Sequence, residues 1–153
     1  MKTPLWTPSE QRKQDANITR FMREVSARHK LNLVSYSDLY QWSVENIPDF
    51  WAQVWDFAEV KSSKRYDSVV TDVSVFPGAK WFPGARLNFA ENLLRYRDDQ
   101  LAFVFIGEMQ TSKRMMYAEL YDAVARLAHS LKNEGVGVGD RVVGYMPNLI
   151  ETV

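Results

Sequence analysis

Beyond residue 98 the chain spells out a sheet that it does not finish. Leu101–Ile106 is a short apolar run with the length of a strand, 107–113 reads as a turn, and Arg114–Tyr117 as a partner strand. Leu120, Val124, Leu127 and Leu131 then recur at i, i+4, i+7 and i+11, the stripe of an amphipathic helix. That helix is expected to stop at Asn133-Glu134-Gly135, where Gly135 suits a left-handed cap. Arg141–Met146 follows as a second buried strand, and Pro147-Asn148 opens a helix with barely one turn before Val153. A sheet of this kind is buried only by neighbouring strands and by helices on its faces. The C-terminal third therefore cannot close a core by itself, and the expectation is the front end of a longer α/β protein.

The preceding part has helical character. Thr7-Pro8-Ser9-Glu10 has the form of a capping box with proline at the first helical position. Ile18, Phe21, Met22 and Val25 share one helical face, in a helix expected to fade near His29–Asn32. Ser35-Tyr36-Ser37-Asp38 signals a second start, and Pro48 a third, leading into Asp49-Phe50-Trp51-Ala52-Gln53-Val54-Trp55. Asp67–Phe76 is valine-rich and weakly alternating, as in a short strand, and Pro77-Gly78 and Pro83-Gly84 punctuate turns around Trp81-Phe82. Asn88–Leu94 reads as a short helix. A polar stretch, Arg95–Gln100, follows it. The expected organisation is a mostly helical extension over 1–98 and the start of an α/β domain over 99–153, an incomplete α/β fold.

Charge and cysteine usage narrow the function classes. The 153 residues carry 19 Lys+Arg and 19 Asp+Glu, a balance that argues against nucleic-acid or membrane-surface binding. The content is 46% hydrophobic and 25% charged, which is globular composition. No run approaches the ~18 apolar residues of a membrane span, and Met1-Lys2-Thr3-Pro4-Leu5-Trp6 has no secretory apolar core. With no cysteine there is no disulfide framework, thiol nucleophile or Cys-based zinc site, so a cytoplasmic protein is expected.

Candidate chemistry weighs lightly. Tyr40, Trp42, Phe50, Trp51, Trp55 and Phe57 could form a ligand platform or a docking face, part of it for a domain beyond this chain, but aromatics at helical spacing are usually core. Gly135-Val136-Gly137-Val138-Gly139-Asp140 follows a helix and precedes a strand, the reverse of a dinucleotide loop, so it reads as a cap and turn. His29 and His129 lack the company that a general base or metal ligand needs and read as surface or boundary residues. Lys61-Ser62-Ser63-Lys64-Arg65 could meet a phosphate, although short basic runs in loops are usually only solvated. Asp98-Asp99 reads as linker rather than a carboxylate pair.

Longer phrases carry a resemblance. Trp81-Phe82-Pro83-Gly84-Ala85-Arg86-Leu87-Asn88-Phe89-Ala90-Glu91-Asn92-Leu93-Leu94 resembles a signature near the start of acetyl-CoA-synthetase-like enzymes. Tyr117-Ala118-Glu119-Leu120, Gly135-Val136, Gly139-Asp140-Arg141-Val142 and Tyr145-Met146-Pro147-Asn148 resemble the opening of the adenylate-forming domain. Within that superfamily, Ser35–Glu45, Asp49-Phe50-Trp51 and Gly139–Tyr145 are similar to the acetoacetyl-CoA synthetases. The resemblance runs from about Trp6 to Val153.

It implies an acid–thiol ligase acting in two steps. Acetoacetate attacks ATP to give an acyl-adenylate and pyrophosphate, and coenzyme A then displaces AMP, with Mg²⁺ and cationic groups holding the phosphates. The family's phosphate loop, adenine-binding segment and catalytic lysine have no matching position here. No catalytic, cofactor-binding or metal residue is therefore carried over, and the chain alone is expected to be inert, binding ATP, CoA and Mg²⁺ only as part of the full-length enzyme. Its implied partners are acetoacetate and the remainder of the synthetase chain, with no nucleic acid and no membrane span. Fragments of an acetyl- or propionyl-CoA synthetase, or a non-catalytic interaction module docking through its aromatic face, are the rival readings. Where the family often has Thr before Tyr-x-Glu-Leu, this chain has Met116, a lost cap typically worth about 1 kcal/mol.

Overall fold

The computed structural model describes residues 5–108 and 112–152. Their element order is α1 (Glu10–Asp15), α2 (Asn17–His29), α3 (Tyr36–Glu45), α4 (Ile47–Phe57), α5 (Phe89–Leu93), β1 (Leu101–Phe105), β2 (Lys113–Met116) and α6 (Tyr117–Asn133), then a 3₁₀ turn over Ile150–Thr152. The chain divides into two compact units, Met1–Leu87 and Asn88–Val153.

The first unit is helical, as the sequence indicates, with one break that the periodicity hides. Ala16 is extended (φ −67°, ψ 137°) and separates α1 from α2, while the Thr19 hydroxyl donates to the Lys13 carbonyl and satisfies the end of α1 locally. Ser9, not Thr7, caps α1, accepting from the Arg12 N–H, so Pro8 precedes the cap rather than occupying the first helical position. Ser35 and Asp38 form the reciprocal capping box of α3, and Pro48 lies in the first turn of α4, where its missing N–H leaves no ladder bond unmade.

Phe21, Val25, Leu39 and Trp42 are buried together, with Met22, Leu33, Phe50, Val54 and Phe57 packed against them. Phe21 meets Phe57 edge-on at 5.1 Å between ring centroids, and Phe50 at 5.9 Å. Such pairs contribute ~0.5–1.5 kcal/mol each beyond area burial. The core reading of Trp42, Phe50, Trp55 and Phe57 therefore holds; Tyr40 and Trp51 stay exposed.

The segment after α4 departs from expectation. Asp67–Phe76 forms no strand; Val70 makes a single bridge to Trp81 and Lys64 one to Arg86. Bonds from the Ser63 N–H to the Arg86 carbonyl (2.8 Å) and from the Phe82 N–H to the Val69 carbonyl (2.7 Å) hold an irregular hairpin instead. Trp55 anchors it to α4 by packing on Tyr66 (5.1 Å) and Phe82 (4.8 Å). At the tip of the Phe82–Ala85 turn Gly84 has φ +82°, the value a type II turn demands at its third residue.

In the second unit β1 and β2 pair antiparallel, Phe105 opposite Lys113 and Leu101 opposite Met116. Residues 109–111 of the expected turn lie outside the described residues. α6 ends in a Schellman motif: Gly135 (φ +85°) donates to the Lys132 carbonyl and Val136 to that of Leu131. Arg141–Met146, expected as a buried strand, joins no ladder, and Val143 and Tyr145 are 89% and 105% exposed. Among the described residues no strand lies beside it to take its backbone bonds, so it runs as exposed irregular chain. The helix expected from Pro147-Asn148 is the short 3₁₀ turn. The fold is thus mostly helical with one two-stranded sheet.

Candidate functional site

The residues singled out by sequence do not converge. Within the basic run, Arg65 donates to Asp56 at 2.7 Å and Lys64 pairs with Asp67 at 3.2 Å, so two of its cations have carboxylate partners. Asp98 caps its own loop by accepting from the backbone and side chain of Gln100; the Gln100 amide holds its carboxyl below the ordinary range. His129 lies against Asn133 on the exposed side of α6. His29 sits at the boundary of the core, half-buried: its ring packs 5.0 Å from that of Trp42, with Nε2 buried and without a hydrogen-bond partner.

The glycine-rich loop offers no phosphate cradle. Gly137 already donates its N–H to Asp140 Oδ2 at 2.7 Å, and Asp140 returns a backbone bond to the Gly137 carbonyl. Among the described residues no group of three or more His, Cys, Asp or Glu could hold a metal ion. No helix among them is long and apolar enough to cross a membrane.

Two features escaped the sequence reading. Asp56 on α4 accepts from Arg28 of α2 and from Arg65 after α4, each at 2.7 Å. Burial by itself would raise its carboxyl, but these two hydrogen bonds outweigh that and leave it below the ordinary range. An ion triad across distant residues has no local spacing signal. The second feature is apolar exposure: Val73, Val75 and Phe76 are 51%, 43% and 98% exposed, and Trp81 stacks edge-on with Trp51 at 6.0 Å. In the second unit a cavity of about 300 Å³ opens between Leu93 and Leu94 after α5's start, Phe103 of β1 and Leu120 and Val124 of α6.

Residues 36–93 match the family described as acetyl-coenzyme A synthetase N-terminus, and residues 89–153 match AMP-binding enzyme. The chain is 41% identical over 152 residues to acetoacetyl-CoA synthetase of Gallus gallus and 42% over 153 residues to that of Danio rerio. Each alignment covers 97% of this chain and 22% of the relative. The solved acetoacetyl-CoA synthetase from Streptomyces lividans superposes with a TM-score of 0.86 at 39% identity, over 99% of this chain and 24% of that one. The chain thus matches two families in succession, each over less than half of its length. It is homologous to the amino-terminal portion of acetoacetyl-CoA synthetases and spans about a fifth of the length of these relatives. The acyl-CoA synthetase phrases from Ser35 to Leu94 and from Tyr117 to Asn148 thus carried more than any single side chain, and the exposed apolar loop lies inside the first matched segment.

Proposed function

We propose that this chain is the amino-terminal portion of an ATP-dependent acetoacetate–CoA ligase, the whole protein converting acetoacetate, ATP and CoA to acetoacetyl-CoA, AMP and pyrophosphate. The observation that carries the reading is the near-40% identity to acetoacetyl-CoA synthetases over almost the whole chain, joined to a fold that superposes on one of them. In this reading residues 1–98 are the extension and 99–153 the opening of the adenylation domain. ATP, CoA and Mg²⁺ are bound by the whole enzyme outside this chain, which contributes no catalytic, cofactor-binding or metal residue. The remainder of the synthetase is its partner, acetoacetate the small-molecule substrate, and the cytoplasm its compartment. No nucleic acid takes part, and this portion has no membrane span.

The test is a hybrid in which this chain replaces the matching fifth of the Danio rerio relative. The hybrid is expected to release AMP and form acetoacetyl-CoA only when acetoacetate, ATP and CoA are all present. The isolated chain is expected to do neither. A folded hybrid that forms no acetoacetyl-CoA, or acetoacetate-dependent AMP release by the isolated chain, overturns the proposal.

A further inference from the structure

Loops of folded domains are ordinarily polar, because their side chains face water. The tip of the irregular hairpin in the first unit breaks that rule. Between Val73 and Trp81 the only charged residue is Lys80. Phe76 is almost fully solvent-exposed, and Val73, Val75, Trp81 and the neighbouring Trp51 are each between 40% and 51% exposed. A shallow cavity of about 230 Å³ opens beside Val75, Phe76 and Trp81. The Thr71 N–H donates to the Lys80 carbonyl and the Lys80 N–H to the Thr71 hydroxyl, and the Trp51–Trp81 edge contact ties the tip to α4, so the patch is presented on a built base. Apolar aromatic surface depleted of charge is the signature of the buried centre of an interface, and of a permanent one more than a transient one.

The length of the relatives says what covers it. About four-fifths of each acetoacetyl-CoA synthetase lies outside the stretch this chain matches, while the patch lies within the segment shared with the acetyl-coenzyme A synthetase N-terminus. We propose that Trp51, Val73, Val75, Phe76 and Trp81 form the docking surface on which the remaining four-fifths of an acyl-CoA synthetase chain seats. This rests on the ligase reading and names the surface through which it is realised. The occupant is a preformed apolar protein face rather than a charged ligand, since the patch offers one cation and no carboxylate.

The absence of cysteine provides a clean probe. Phe76→Cys, at a side chain that contributes no buried packing, gives this chain a single thiol, and Arg23→Cys on the exposed side of α2 gives a control. Each variant is labelled with a thiol reagent as the isolated chain and within the Danio rerio hybrid, the modified peptide being read by mass spectrometry. The proposal expects labelling at Phe76→Cys to slow at least ten-fold in the hybrid and labelling at Arg23→Cys to stay within two-fold. Equal labelling at Phe76→Cys in an active hybrid overturns the surface and leaves the ligase reading intact. A folded hybrid that protects the site yet forms no acetoacetyl-CoA overturns the reading and keeps the surface. Protection in the isolated chain that grows with its own concentration assigns the patch to a second copy and overturns the proposal.

Discussion

Arg28 Nη1 lies 2.7 Å from Asp56 Oδ2 and 3.1 Å from Gln53 Oε1, so one guanidinium ties α2 to two residues of α4. Gln53 is buried, whereas Arg65, the other partner of Asp56, is exposed. Removing Arg28 strips a buried amide of its donor, a loss of roughly 1–3 kcal/mol; removing Arg65 costs only a surface ion pair, about 0.2–1 kcal/mol. Arg28→Ala is therefore expected to lower stability by about 2 kcal/mol and Arg65→Ala by less than about 1 kcal/mol in urea unfolding. Equal losses would show that the Gln53 contact contributes nothing.

The same triad predicts a pH dependence. Asp56 is held below its ordinary value: burial opposes ionisation, and the hydrogen bonds from Arg28 and Arg65 prevail. A carboxyl depressed in the folded state stabilises fully above its unfolded pKa of about 3.9 and loses that contribution as pH falls through the lower folded value. Asp56→Asn should thus be less stable than the parent at pH 7, with the gap narrowing below about pH 4. Asp38, depressed first by the Ser35 hydroxyl and then by backbone N–H groups, keeps its own acid dependence in both proteins. Melting temperatures at pH 7, 4 and 3 check this, and a gap constant with pH would count against it.

What could be read from the sequence follows from the range of the forces involved. Ser35 with Asp38, Pro48, Asn88 and Gly135 act within a few residues, and each marks an element boundary where the residue type requires it. The α2 face of Phe21 and Val25 was legible for the same reason. The break at Ala16 was not, because Glu10–Asp15 carries no apolar periodicity that a break could interrupt, and the Thr19 hydroxyl that ends α1 gives no pattern. Asp67–Phe76 has strand composition, yet only isolated bridges form, since strand propensity needs a partner edge. Arg141–Met146 failed as a strand on the same ground. Of the candidate surface, the aromatics were visible as a cluster, but periodicity does not separate buried Trp55 from exposed Trp51 on one helix.

Met116 stands at the N-cap of α6, where Glu119 Oε2 accepts its N–H at 2.8 Å. Half of a capping box is therefore in place, and a threonine hydroxyl would supply the other half by accepting the Glu119 N–H. Met116→Thr is expected to raise stability by about 1 kcal/mol, and to do so equally in a Glu119→Ala background, because the hydroxyl accepts from the backbone N–H of residue 119. Denaturant midpoints in the two backgrounds decide it.

Glu59 has φ +51° after α4, donating to the Asp56 carbonyl at 3.0 Å while Val60 donates to that of Trp55 at 3.2 Å. This is the Schellman geometry that Gly135 completes after α6, here imposed on a residue with a side chain. The left-handed conformation costs a non-glycine residue ~1–2 kcal/mol, partly offset by the greater unfolded entropy of glycine. Glu59→Gly should therefore stabilise by about 0.5–1 kcal/mol in thermal unfolding. Glu59→Ala, which keeps the Cβ, should give no comparable gain.

Gly84 is the position where a side chain is least tolerated. A Cβ there would clash with the Asp67 carboxylate, and φ is +82°. Asp67 is exposed and held only by Lys64 and its backbone bond, so its carboxylate can swing aside at little cost. The conformational cost remains, about 1–2 kcal/mol. It falls on the turn that places Phe82 against Trp55 and Tyr66, where Phe82 itself has φ +48°. Gly84→Ala is thus expected to lose about 1–2 kcal/mol, and adding Asp67→Ala should recover only a minor part. Full recovery in the double variant would make the clash, rather than the backbone, the reason for glycine.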